Sequence, residues 1–197
     1  MAFIRTVPED QADGKVLETY QDDLKTKGYV AHHTSAFSLR PEVYDAWKNL
    51  ISSIRSNMRL RRFELVTLAS AQALGCTYCM LAHGAVLRKS FFSPEQLVAI
   101  ARDFRSSGLP PEEVALMEFA QKVTREANEI TQGDIDGLRE LRLSDEEILD
   151  VVLAVAARSF MSKTLDALGA EPDDALMSLE PKLREALVTG RPFPAVR

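Results

Sequence analysis

Alternation is missing from this chain. No stretch of its 197 residues keeps apolar and polar side chains in a two-residue rhythm long enough for a convincing strand, so the expected fold class is all-α. Long apolar runs are missing too. The longest, around residues 148–157, is interrupted by Asp150 and is too short to span a bilayer. The N-terminus has no apolar signal core, because Arg5, Glu9 and Asp10 follow Met1 closely. A cytoplasmic protein without a membrane partner is therefore expected. Positive charge is in deficit, with 24 Lys and Arg against 29 Asp and Glu, a net charge of −5 and a pI near 5.3. That balance argues against nucleic acid or an anionic membrane surface as a partner. No glycine-rich phosphate loop is present, and no serine sits in a nucleophile elbow. Cysteine and histidine are scarce, at two and three residues.

What is present is ordinary in bulk and concentrated in one place. Hydrophobic residues make up 46% and charged residues 27%, as in a globular protein, and the length suits one domain or two small halves sharing a core. Both cysteines, Cys76 and Cys79, fall in the segment 64–83 together with His83. On a helix at about 100° per residue, Cys79 lies roughly 60° from Cys76 and His83 falls within about 20° of it, so two thiols and an imidazole share a stripe. Glu64 would be roughly 18 Å from Cys76 on an unbroken helix. Gly75 readily ends a helix, and two antiparallel helices, 61–74 and 76–89, would set residue 64 beside residues near 83 to 86. Glu64 then orients His83, His83 faces Cys79, and the order carboxylate–imidazole–thiol is that of an activated nucleophile. The Cys-x-x-Cys also falls at a helix start, where the dipole lowers a thiol pKa.

Other uses of these residues are weaker. Two buried structural cysteines would not need a histidine one turn on. Zinc would find Cys76, Cys79 and His83 but would need a fourth ligand from His32, His33 or a carboxylate. Attachment of c-type haem requires histidine directly after the second cysteine, where Met80 stands, and a thioredoxin fold requires a strand where residues 65–74 read helical. No metal and no cofactor are expected. His32 and His33 read as solvated residues of a loop, 29–38, and Arg61 and Arg62 as a solvated charge pair.

The rest reads as helices separated by proline, glycine and capping residues. Helices are expected over about 9–27, 41–57 and 94–104, from residues 110–112 with an apolar side running to Val123, from residue 131 or 134 to about 141, and from Ser144 to near Gly169, with one more near 181–188. A shift of 83 residues superposes the motif segment on a later one. Glu64, Leu65 and Leu68 meet Glu147, Ile148 and Val151, while Cys76, Cys79 and His83 meet Ser159, Ser162 and Asp166. Apolar rows match and reactive groups do not, which suggests a second, chemically silent copy of the hairpin.

Glu64, a Cys-x-x-Cys twelve residues on and a histidine four after the second cysteine resemble the alkylhydroperoxidase D / carboxymuconolactone decarboxylase-like family. The openings 3–8 (Phe-Ile-Arg-Thr-Val-Pro) and 60–64 (Leu-Arg-Arg-Phe-Glu), and the segment 143–152, look like its peroxidase-related branch. The resemblance covers most of residues 3–170, with one departure: alkylhydroperoxidase D carries a second histidine between the cysteines, where this chain has Tyr78. It implies one helical-bundle domain over 1–170 with two related helical-hairpin halves, only the first carrying the redox motif. Within it lie N-terminal helices over 9–57, the redox hairpin over 60–90 and a degenerate second half over 111–169. Residues 171–197 are left as an arm or tail. The implied activity is reduction of hydroperoxides by a dithiol–disulfide cycle, with Cys79 peroxidatic, Cys76 the proton donor and resolving thiol, and His83 relaying protons under Glu64. The oxidised protein would be reset by a dithiol donor, a lipoylated protein or a thioredoxin-like one, and the chain would be a homo-oligomer, commonly a trimer or hexamer. Two other functions fit the same residues less closely. A decarboxylase-like lyase needs no Cys-x-x-Cys, and a redox-sensing oligomer would form the disulfide without turnover.

Overall fold

The computed structural model describes residues 2–192, and every regular element among them is helical. In chain order the α-helices are α1 (Gly14–Lys27), α2 (His32–Ser35), α3 (Pro41–Ser56), α4 (Leu60–Leu74), α5 (Thr77–Ser90), α6 (Pro94–Asp103), α7 (Pro111–Glu126), α8 (Gln132–Glu140), α9 (Asp145–Leu168) and α10 (Pro181–Leu187). None is long and apolar enough to cross a membrane. The punctuation follows the sequence. Pro41, Pro94, Pro111 and Pro181 open helices at positions whose N–H would have no partner anyway. Ser93 with Gln96, Thr131 with Asp134 and Ser144 with Glu147 form reciprocal capping boxes.

Three expectations are corrected. The first helix does not begin at Glu9: Glu9–Gln11 is a separate 3-10 turn, and Ala12 and Asp13 are extended before Gly14 at φ 44°. The segment 29–38 is not all loop, since α2 forms a helical turn within it. The arm expected from residue 171 is packed onto the bundle as far as residue 190; residues 193–197 lie outside the described part. Leu183 and Leu187 are fully buried, α10 packs on α5 and α6, and Arg88 of α5 donates to Glu180 at 2.7 and 2.9 Å. A Cβ on Gly84 would sit 2.6 Å from Leu187 Cδ1, so the absence of a side chain there lets α10 approach.

The core is organised on α4. All residues from Phe63 to Ala71 are buried, the mark of a helix enclosed on every side, and α5, α7 and α9 enclose it. Each large aliphatic in it, such as Leu65 or Leu68, stabilises the fold by about 1.5–3 kcal/mol through burial. The cost of that position falls on Glu64, Thr67 and Ser70, which are buried with it and must find polar partners inside. Helix α9 repeats the apolar rows of α4 but not its ending. Under the 83-residue shift Gly75 meets Arg158, and without a residue that tolerates the left-handed conformation α9 runs unbroken through 147–166.

Candidate active site

Gly75 is what assembles the site. At φ 69° it ends α4, a conformation that L side chains rarely adopt. The N–H of Cys76 donates to Ala71 O at 3.0 Å, which turns the chain so that Cys76 caps α5 and Cys79 lies in its first turn. Turned this way, α4 and α5 run side by side, and Glu64 meets His83 as the spacing predicts: Glu64 Oε2 is 2.6 Å from His83 Nδ1. Glu64 is only 3% exposed, so it is not a solvated first-turn carboxylate. Thr67 Oγ1 lies 3.2 Å from the same nitrogen while donating to Phe63 O at 2.8 Å. A proton on Nδ1 satisfies both acceptors, which fixes the ring's tautomer and leaves Nε2 free to take or give a proton.

Cys79 is the most constrained group in the site. It is 1% exposed, and its sulfur receives hydrogen bonds from Ser162 Oγ at 3.2 Å and Arg158 Nη1 at 3.4 Å. The neighbouring Cys76 thiol, then the Arg158 guanidinium, His83 and the Ser162 hydroxyl hold the Cys79 thiol well below its ordinary pKa, against a burial effect of opposite sign. Cys76 is driven the other way, first by the Cys79 sulfur and then by burial. Its sulfur points at Ser162 O, 3.9 Å away, and Asp166 beside it has its carboxyl raised by burial. The two sulfurs are thus driven in opposite directions, Cys79 toward the thiolate and Cys76 toward the thiol, and they are not joined in a disulfide. Arg158, 6% exposed, has no carboxylate partner among the described residues, and its Nε is buried without a hydrogen bond. The Cys79 sulfur is the acceptor it faces.

A cavity of about 140 Å³ brings Cys79, His83 and Arg158 to one surface with Trp47, Met161 and Leu165. Tyr78 and His33 close one side. The Tyr78 hydroxyl donates to Asp173 Oδ2 in a short bond and lies 2.8 Å from His33 Nδ1. His33 is therefore not a solvated loop residue; burial, and then the charge of Lys27, push it down to about 4. His32 is exposed, as expected, with Nδ1 2.9 Å from Glu171 O. Among the described residues no group of three or more His, Cys, Asp or Glu side chains is arranged to hold a metal ion.

All four residues expected from the motif are in one place. Arg158, Ser162, Tyr78 and His33 complete the surroundings, and the segment that reads as chemically silent supplies two of them. The 83-residue shift does contain a signal, since it sets Ser162 on Cys79, and an arginine amid the apolar run 151–157 and Phe160–Met161 is the other.

Residues 41–122 match the carboxymuconolactone decarboxylase family, a span that contains Glu64, Cys76, Cys79 and His83. Over that segment the chain is similar to the carboxymuconolactone decarboxylase family. No curated protein matches the chain. Among solved structures, the alkylhydroperoxidase AhpD core of a peroxidase-related protein from Ralstonia eutropha JMP134 superposes with a TM-score of 0.81 at 21% identity, over 89% of this chain and 94% of that one. A peroxidase-related protein from Silicibacter sp. TM1040 gives 0.77 at 21%, over 87% and 92%. The debrominase Bmp8 gives 0.74 at 15%, over 94% and 97%. At these identities the likeness is one of fold, and the fold is that of the alkylhydroperoxidase D-like helical proteins. The carboxymuconolactone decarboxylase family segment is the part that holds the turn at Gly75 and the buried Glu64–His83 pair.

Proposed function

We propose that the chain is a thiol-dependent peroxidase that reduces organic hydroperoxides. One observation carries the reading: the buried Cys79 sulfur receives hydrogen bonds from Arg158 and Ser162 at a cavity it shares with a histidine oriented by a buried carboxylate. A thiolate made acidic by charge and hydrogen bonds is the reactive form of cysteine. Cys79 attacks one oxygen of the O–O bond, which breaks to give a sulfenic acid on Cys79 and an alkoxide. The alkoxide takes from His83 Nε2 the proton that this nitrogen accepted when the Cys79 thiol ionised, and leaves as the alcohol. Cys76, kept protonated until then, attacks the sulfenic sulfur; its proton and the sulfenic hydroxyl leave as water, and the disulfide closes. The two sulfurs supply the two electrons that the O–O bond accepts, and a dithiol donor, a lipoylated protein or a thioredoxin-like one, restores them. The neighbouring Cys76 thiol also favours the Cys79 thiolate before reaction.

The protein works in the cytoplasm as a homo-oligomer. Association would cover the exposed apolar Val43 and Leu50 of α3 and Leu149, Leu153 and Phe160 of α9. Peroxide consumption in the presence of excess dithiol tests the activity. Many equivalents consumed per chain support the peroxidase, a single equivalent identifies a sensor, and no consumption with turnover of a carboxylated lactone identifies a lyase.

A further inference from the structure

Arg158 poses a problem that the peroxidase cycle makes acute. The residue is 6% exposed, its guanidinium lines the cavity, and of its five N–H groups one, on Nη1, has a hydrogen-bond acceptor among the described residues: the Cys79 sulfur. The face of Trp47 lies 5.9 Å away, and no carboxylate is paired with it among the described residues. While Cys79 is a thiolate the buried positive charge is met. Once Cys79 enters a disulfide that negative charge is gone, and a buried cation without a counter-charge is strongly unfavourable. An anion from solution can restore the balance if the cavity admits one.

We propose that the Cys79 cavity is a redox-gated anion site, closed to anions by the thiolate and opened by its loss, whose ligand is a compact aromatic carboxylate. The gating rests on the dithiol–disulfide cycle proposed above; the site itself rests on Arg158 alone. Charge sets the head group, because the planar guanidinium fork suits a carboxylate. Size and lining set the body. The cavity, about 140 Å³, is close to the roughly 150 Å³ at which an apolar cavity takes up benzene, and Trp47, Ala82, Met161 and Leu165 offer apolar walls. Occupation would place the carboxylate on Arg158 and the ring against Trp47, over the disulfide.

Trp47 is the chain's single tryptophan, so its fluorescence reads the cavity directly. Benzoate is titrated, with neutral benzamide in parallel, into four forms of the full chain: the reduced protein, the protein oxidised by diamide, reduced Cys79→Ser and reduced Cys79→Ser/Arg158→Gln. Diamide takes two electrons and two protons from the thiols and leaves the disulfide. The expected result is that oxidised protein and Cys79→Ser bind benzoate at least about tenfold more tightly than the reduced protein, the worth of one charge-assisted hydrogen bond. Benzamide should not distinguish the forms, and the added Arg158→Gln should abolish the difference. Cys79→Ser needs no oxidation, so it tests the site even if peroxidase activity is absent. Equal benzoate affinity in reduced protein and Cys79→Ser, benzamide binding that follows the same order, or unchanged binding in the double variant overturns the proposal. If Arg158→Gln does not fold, the comparison of reduced protein with Cys79→Ser decides alone.

Discussion

Replacing Arg158 by glutamine should slow the chemistry of Cys79 through acidity alone. The guanidinium donates to the sulfur at 3.4 Å inside the core, and its positive charge favours the thiolate over the thiol. A hydrogen bond to a charged group in such a site is worth about 1.5–3 kcal/mol, and 1.36 kcal/mol corresponds to a tenfold change in acidity. The Cys79 pKa should therefore rise by about one to two in Arg158→Gln, since Ser162 and His83 remain. The measurement is the rate of alkylation by iodoacetamide against pH in a Cys76→Ser background, where Cys79 is the sole thiol. At pH values below the midpoint the rate should fall by about ten- to a hundredfold, in step with the lost thiolate. The plateau at high pH, where both proteins are fully ionised, should be equal or slightly higher. An unchanged midpoint with a lowered plateau would mean that Arg158 governs access to the cavity and not the charge of the sulfur, and would refute the electrostatic role. Thermal unfolding of the variant serves as the control for loss of packing against Trp47.

Other outcomes follow from the same geometry. His83→Ala should lower peroxide reactivity by about 10²–10⁴-fold and Glu64→Gln by less, because the amide oxygen still accepts from Nδ1 without the charge; steady-state rates at matched thiol ionisation check the order, and a larger loss for Glu64→Gln contradicts it. His33, pushed down to about 4, is neutral in the folded protein between there and its unfolded value near 6.5, so its contribution is present above about 6.5 and is lost as pH falls toward 4. Stability should drop by at most about 3 kcal/mol across that window, and the drop should shrink in His33→Gln as read by urea unfolding at each pH. Cys79, with its pKa lowered, contributes stability that is present above the unfolded thiol value of about 8.5 and fades as pH falls through its folded value; the rise in stability toward that pH should be missing in Cys79→Ser. Gly190→Ala should loosen the C-terminal segment from the motif, because a Cβ there would overlap the carbonyl oxygen of Gly75. Faster labelling of Cys76, followed by mass spectrometry, checks it.

The parts of this site legible in the sequence are those that local periodicity carries. Glu64, Cys76, Cys79 and His83 lie within 20 residues of one another, and a single glycine between two helical patterns is enough to fold the carboxylate back onto the imidazole. Arg158 and Ser162 are 79 and 83 residues from Cys79, and which face of α9 meets α5 is decided by packing, not by spacing. The internal match points at Ser162 but makes it look inert, because a serine in place of a cysteine reads as a lost nucleophile and not as a donor to one. The C-terminal segment misleads for a different reason. Its prolines resemble a linker, yet Leu183 and Leu187, four residues apart, form a buried stripe that only the side-chain-free surface of α5 at Gly84 can receive. His33 takes its environment not from its loop but from Tyr78, a residue of the motif itself.

The central claim, that Cys79 is the peroxidatic thiolate and Cys76 its resolving partner, is tested most directly by one equivalent of an organic hydroperoxide added to reduced Cys76→Ser and Cys79→Ser, each with a dimedone probe and mass analysis of the peptide holding residues 76–79. The expected result is a stable, labelled sulfenic acid on Cys79 in Cys76→Ser, one alcohol released per chain, and no labelling in Cys79→Ser. Labelling of Cys76 in Cys79→Ser, with Cys79 unreacted in Cys76→Ser, would contradict it.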